Sequence, residues 1–413
     1  MEVRDLPLVD LRDPDFWSDI HAPLRAARAK FPVAVMPSGE LLVLGYDEVM
    51  FVLRDPRFRS TDLLARSGVR SGRLHEWWST VMFSTDPPEH TRLRRLVSRA
   101  FTPRAVDDMR PLIEDLADQL LDGVVERGEM DVLHDFAHHL PVKVIGSMLG
   151  VPDRDYPTFA SWTTTLGRAF SPVIDDALRL QLEQAITGLD DYVGRLIGER
   201  RRRPGTDLLS QLIAAEEDGD RLSVDELIAM VENLLFAGHD TTRGLLSIAL
   251  PLLCAHPEQL ERVRSDHHAM PAAVEEILRY EPPVMGGARE AAEPVEIAPG
   301  IVVGEGQRVS ISVAAANRDP RAFHDPDRFD IDRDDTTRLA SFGQGIHYCL
   351  GAALARAEAE VALRRLLDRC GEIELTSPPQ WVPFAPIRHY RSVPIRFTPD
   401  PEGHERRRAA PVT

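Results

Sequence analysis

Cysteine is scarce in this chain: Cys254, Cys349 and Cys370 are the three among 413 residues. An odd, scattered set builds no disulfide framework and points to a reducing compartment. Cys349 has neither a second Cys nor a paired His nearby in sequence, so it cannot complete a zinc site. Positive charge is also short. Lys and Arg total 49 against 66 Asp and Glu, a net charge of −17, which argues against nucleic acid as a bulk partner. Long apolar runs are missing as well. Met1 to Phe16 is charged and broken by proline, with neither a signal-peptide core nor a membrane-spanning stretch. The expectation is a cytoplasmic protein with no membrane anchor. No internal repeat appears, while a hydrophobic content of 43% is ample for an extensive core.

What is present concentrates around Cys349. The segment Phe342-Gly343-Gln344-Gly345-Ile346-His347-Tyr348-Cys349-Leu350-Gly351 sets one cysteine in a glycine-lined turn, and Ala352 to Arg369 follows as an amphipathic helix. A cysteine at a helix start is expected to have a lowered pKa, from the helix dipole and free N–H groups. The glycines let the backbone lie close to something large, where a Cβ would collide. A single thiolate against a flat, bulky partner fits an axial ligand to haem iron.

Most of the remaining sequence reads as helix. Leu41 to Gly45 is a strand, and Tyr46 to Arg54 a helix stopped by Asp55-Pro56. Residues 295–313 form a second strand-rich patch, and Ile373 to Leu375 with Val393 to Phe397 a third. Strands from both ends must pair across a long helical middle, giving one interwoven, mainly α fold with a minor β region. Residues 1–398 are expected to form one domain and 399–413 a disordered tail. Arg200 to Pro204 reads as a basic, exposed loop.

Ser223-Val224-Asp225-Glu226 is a capping box opening a helix towards Cys254, long enough to cross the core. Its middle holds Ala237-Gly238-His239-Asp240-Thr241-Thr242, residue types ill suited to a buried helix interior. A threonine there can bond back to the carbonyl one turn earlier and locally open the ladder. That leaves a groove with a hydroxyl and a carboxylate, suited to a small polar ligand and a proton relay. Pro251 is expected to kink the last turns.

The decamer around Cys349 resembles the haem-ligand loop of the cytochrome P450 family, Phe-Gly-x-Gly-x-His-x-Cys-x-Gly, with every defining position filled. The central hexapeptide resembles the family's oxygen-activating segment, Ala-Gly-x-Asp/Glu-Thr-Thr. The resemblance implies haem b between the long helix and the cysteine loop, with Cys349 the axial thiolate. It implies Ala237 and Gly238 beside the haem, and Asp240 and Thr241 as the acid and alcohol feeding protons to the oxygen. Phe342, Gly343 and Gly351 would shape the ligand loop. His90, Arg94, Arg289 and His347 would hold the propionates. Glu276, Arg279 and Arg328, the last in Pro326-Asp327-Arg328-Phe329, would form a buried bracing triad, whereas a bare Glu-x-x-Arg is usually a surface ion pair.

The implied activity is that of a monooxygenase of bacterial type. It would use O2 and electrons from a ferredoxin-type donor with its NAD(P)H-dependent reductase to oxidise an apolar small molecule such as a terpenoid, steroid or polyketide. Arg92, Arg95 and Arg99 would offer that donor a basic patch. The chain is expected to be a monomer. The candidate substrate wall is Trp77, Trp78, Met82, Leu235, Val284, Met285, Gly286 and Phe384, with Arg73, His75 or Arg388 to orient a polar group. A peroxide-driven peroxygenase of the same fold and a non-catalytic haem-binding protein are the alternatives, and the Asp240-Thr241 pair weighs against both.

Overall fold

The computed structural model describes residues 3–171, 174–217, 222–335, 338–385 and 387–400. The tail expected to be disordered lies almost wholly outside them. The central helix, Val224–Cys254, begins at the capping box. Ser223 Oγ accepts from the Glu226 N–H at 3.1 Å, and Glu226 Oε2 accepts from the Ser223 N–H at 2.7 Å. The helix is apolar over most of its surface because it is enclosed. Leu140–Met148, Tyr156–Gly167 and Ala352–Arg369 all pack against it. It runs as one helix through Thr241 and Pro251. The local loosening is limited to Thr241 Oγ1, which donates to Ala237 O at 2.9 Å.

The strands are β1 Val33–Val35, β2 Leu41–Val43, β3 Phe58–Arg59, β4 Glu129–Asp131, β5 Gly286–Ala291, β6 Val295–Ala298, β7 Ile301–Val303, β8 Arg308–Ser312, β9 Cys370–Leu375 and β10 Pro394–Pro399. They form a five-stranded sheet in the order β1-β2-β8-β5-β3, a three-stranded sheet β4-β10-β9, and the hairpin β6-β7. Strand β2, from the start of the chain, pairs parallel with β8 (Leu42 beside Ser310), so the expected long-range closure occurs. All three β2 residues are buried, which is why Leu-Leu-Val runs unbroken instead of alternating.

Two corrections concern the surface and the core brace. Arg200–Arg202 are not in a loop: they end the helix Asp176–Arg202, and Arg200 Nε pairs with Asp207 at 2.7 Å. Arg328 is not the third member of the brace. Glu276 and Arg279 are wholly buried and paired, with Arg279 Nε 2.7 Å from Glu276 Oε2. The second arginine on Glu276 is Arg333, whose Nε lies 2.8 Å from Oε2. The Arg328 side chain is 67% exposed and faces Asp330, and only its carbonyl joins in, accepting from Arg279 Nη2 at 3.0 Å. The motif therefore places its backbone, not its guanidinium, at the brace.

Candidate active site

Several residues of the central helix and cysteine loop have surface that faces inward. Cys349 and Ala237 classify as exposed and Gly238 and Thr241 as half-buried, although they sit in the middle of the molecule. The surface they present belongs to a cavity of ≈ 470 Å³ lined by both segments. Its walls are mainly apolar, as ligand cavities of this size usually are.

On the cysteine side, Gly343 and Gly345 adopt φ of +68° and +71°, a region open to glycine at little cost. A Cβ on Gly345 would also meet Leu53 O at 2.6 Å. The Cys349 N–H donates to Phe342 O at 2.8 Å, closing the loop, and Gly351 caps the helix Ala352–Arg369. Gly351 has an ordinary φ of −85° and open space where a Cβ would be, so close packing against protein does not require it. The Cys349 thiol is not lowered as expected. Burial pushes it up, and the Gly351 N–H, Arg94 and Arg356 offset that only in part. Arg356 lies 4.3 Å from the centre of the Phe342 ring and bonds Glu275 with Nη2 at 3.1 Å, bracing the loop from outside.

Opposite, Asp240 is 4% exposed and reaches the cavity wall. Burial raises its carboxyl above the usual range, against the pull of Arg243, His389 and His138. Arg243 Nε stands 3.2 Å from Oδ1 without the alignment of a hydrogen bond. The other carboxyl oxygen packs against Gly167, where any side chain would collide with it. His239, wholly buried, is a structural neighbour: Thr163 Oγ1 lies 2.7 Å from Nδ1, and His138 O is 3.1 Å from Nε2.

At one edge of the cavity His90, Arg94, Arg289 and His347 converge. The His90 and His347 rings are 4.3 Å apart. Burial, followed by the charges of Arg289, His90 and Arg94, pushes His347 down to about 3. Among the described residues no carboxylate lies within ion-pair distance of Arg94 or Arg289. The nearest to His347 is Asp86, at 4.0 Å. His90 Nδ1 is sealed from water with no partner. Four basic groups that repel one another form an edge suited to anions. With a lone soft sulfur donor on one wall and small residues, Ala237 and Gly238, on the other, the cavity fits a macrocyclic iron cofactor with two carboxylates.

The expected substrate wall is partly corrected. Trp78, Met82, Val284 and Gly286 line the cavity. Trp77 stands behind Trp78 (centroids 6.1 Å apart), and Leu235 is packed into the core. Met285 lines a smaller side cavity, and Phe384 packs on Trp17 at 5.4 Å. Gly286 is required by the sheet, since a Cβ would strike the Ile311 carbonyl, whereas Gly287 has open space. The three polar candidates are committed elsewhere. Arg73 pairs with Asp190, His75 with Asp62 at 2.9 Å, and Arg388 with Glu281 at 3.2 Å while lying over Trp381. Phe83 and Phe236 complete the wall, together with Ile145, Asn233 and Glu358, which were not singled out from the sequence. Phe236 stacks on Phe170 with centroids 5.7 Å apart, and Phe83 meets Trp78 edge-on. The one signal for Asn233 was a polar pair, Glu232-Asn233, set between Met230-Val231 and Leu234-Leu235-Phe236.

No helix among the described residues is long and apolar enough to cross a membrane. The comparisons with known proteins agree with the geometry. The cytochrome P450 family profile matches residues 33–380. The chain is 40% identical over 409 residues to the cytochrome P450 monooxygenase PikC of Streptomyces venezuelae, covering 95% of this chain and 94% of that protein. It is 41% identical over 379 residues to the 6-deoxyerythronolide B hydroxylase of Saccharopolyspora erythraea, covering 89% and 92%. The crystal structure of CalO2 superposes with a TM-score of 0.90 at 32% identity, over 95% of this chain and 100% of that one. The chain belongs to the cytochrome P450 family and is a haem-dependent monooxygenase.

Proposed function

We propose that Cys349 is the axial thiolate of a haem b held between the cysteine loop and the central helix, and that the enzyme oxidises an apolar, medium-to-large natural product of polyketide, terpenoid or steroid type. The observation that carries this reading is the Cys349 side chain facing Thr241 and Ala237 across one apolar cavity. Haem, when bound, supplies the iron at which O2 is reduced and one oxygen atom is transferred. Metal coordination keeps a thiol deprotonated, which removes the conflict with the raised pKa of the free Cys349 thiol. Arg94 and Arg289 would neutralise the propionates, and His90 and His347 would donate hydrogen bonds to them.

Proton supply falls to the central helix. Thr241 Oγ1 returns its hydrogen bond to Ala237 O while idle and turns into the cavity to donate. Asp240, whose carboxyl burial raises above the usual range, is the acid behind it. The Arg243 guanidinium restrains this carboxyl, so its release precedes proton transfer. Apolar walls exclude water, favouring delivery through these two groups. Substrate class follows from the lining, and the PikC and hydroxylase relatives support a monooxygenase acting on natural products.

Electrons come from a small acidic donor of ferredoxin type. Arg92 pairs with Glu89 and Glu226, and Arg95 and Arg99 are the exposed arginines of the basic patch. The reduced, carbon-monoxide-bound spectrum tests the central claim: a Soret band at the thiolate position is expected, and a band at the histidine-ligated position in fresh protein refutes it. Reduction by ferredoxin is expected to slow as salt is added. A rate indifferent to ionic strength rules out the patch.

A further inference from the structure

Among the polar side chains that line the cavity, Trp78, Ser84, His90, Asn233, Asp240 and Glu358 each hold a buried atom with no hydrogen-bond partner. The Trp78 indole packs at steep angles on Phe83 and Phe170, 5.2 and 5.0 Å between centroids, and its N–H finds no acceptor there. Ser84 lines the cavity close in sequence to His90, at the propionate edge. Asn233 differs. It is 3% exposed, it lines the cavity, and its Oδ1 is sealed with no hydrogen-bond donor. A buried amide oxygen that meets no donor costs stability, and an apolar residue at the same place would not. Its flanking residues show what such a site otherwise takes, because Leu234 and Phe236 line the same wall.

Position along the helix gives Asn233 its meaning. Asn233, Ala237 and Thr241 follow one another at i, i+4 and i+8, on one side of the central helix, and all three line the cavity. At the helical rise the amide stands about 12 Å along the axis from Thr241. A ligand that places a carbon beside Thr241 and extends along the helix meets Asn233 at its far end. Of the other polar side chains near this roof, Arg73 holds Asp190, and Glu232, wholly buried, faces that pair 3.7 Å from Arg73.

We propose that Asn233 is a specificity-determining residue whose amide receives a substrate hydroxyl located about 12 Å from the carbon that is oxidised. The inference rests on the reading of this cavity as the haem site and narrows its substrate class to a rigid apolar skeleton with an alcohol at one end. A hydroxyl suits the amide better than a carbonyl or an amine, because it both donates and accepts and so pairs with either orientation of the side chain. The apolar walls between Asn233 and Thr241 give no reward to polar groups in the middle of the molecule.

The test uses haem-loaded protein and two probes, androstane and a terminally monohydroxylated androstanol, a rigid tetracycle with and without the alcohol. Wild-type protein is expected to bind the alcohol about tenfold more tightly by the low-to-high-spin shift, as one well-placed hydrogen bond gives. Asn233→Leu is expected to bind both within about twofold, with a thermal midpoint no lower than wild type, since no protein partner is lost. Equal affinities in wild type, or a preference for the alcohol that survives in Asn233→Leu, overturn the assignment. So does a fall in the midpoint of Asn233→Leu, which would give the amide a structural partner. Failure of both probes to shift the spectrum, in protein whose carbon-monoxide complex is thiolate-ligated, overturns the substrate class and leaves the haem site standing. A wild-type carbon-monoxide complex without the thiolate band removes the foundation itself.

Discussion

On the Cys349 side of the cavity the backbone carries the geometry, through two glycines at positive φ, a Phe342–Cys349 hydrogen bond, and an outer brace of Arg356 with Glu275. On the side of the central helix the backbone is an ordinary helix, and side chains carry everything. There Asp240 Oδ1 and Asn233 Oδ1 lack hydrogen-bond partners, and the aromatic wall comes from residues as distant as Phe83, Phe170 and Phe236. The first wall is built for one fixed ligand. The second keeps its polar groups incompletely satisfied, as a surface must when its partners arrive and leave with each turnover.

Substitutions sharpen that contrast. Cys349→Ser is expected to abolish both the thiolate spectrum and turnover, because no neighbouring side chain replaces the sulfur; retention of either would show that the loop is not the ligand site. On the other wall Asp240→Asn is expected to lower product formation by about 10²- to 10⁴-fold, the usual contribution of a positioned acid, with the carbon-monoxide spectrum unchanged. Thr241→Ala is expected to keep consuming NADH while releasing peroxide in place of product. Full coupling in that variant would remove Thr241 from the relay.

The brace behind the cysteine wall separates two arginines by stability. Arg333→Ala leaves the buried Glu276 with Arg279 as its one charged partner, beside the Asp330 N–H, and is expected to cost about 3–5 kcal/mol in denaturant unfolding. Arg328→Ala removes an exposed side chain and is expected to stay within about 0.5 kcal/mol. Equal losses would restore Arg328 to the brace.

The smallest expected effect lies at the roof of the helix wall. Burial, and then the Asp190 carboxylate, push the Glu232 carboxyl up to about 10, with Arg73 offsetting part of it. An unfolded glutamate ionises near pH 4.3. Between those two values the folded protein holds a proton that the unfolded chain has lost, so this group's contribution to stability falls as pH rises. Glu232→Gln is therefore expected to raise the thermal midpoint, by an amount that grows from about pH 5 to about pH 9. A gain that shrinks with pH would place the group in its ionised state.

How much could be read beforehand follows the same division. The cysteine loop, the capping box, the helices Tyr46–Arg54 and Ala352–Arg369, and strands β2, β8, β9 and β10 were legible because short segments encode each of them. The β5 strand was not. Its Gly-Gly opening and charged residues carry no strand signal, and only its pairing with β8 makes it one. The raised thiol of Cys349 was misread because helix-end effects are local, whereas desolvation depends on everything packed around the sulfur. Arg388 looked available for substrate until the fold placed Glu281 and Trp381 against it.

By itself, then, the sequence marked the candidate chemistry: a cysteine loop and an acid–alcohol pair in contiguous segments, and the helix-spaced His90 and Arg94, which only the fold brings to Arg289 and His347. The tertiary structure decided which of several similar side chains does which work. Arg333 and not Arg328 meets Glu276, Trp78 and not Trp77 faces the cavity, and Asn233 is left with an open valence among apolar neighbours. Those outcomes depend on what distant segments bring within a few ångströms, and burial and pairing at that range have no signature along the chain.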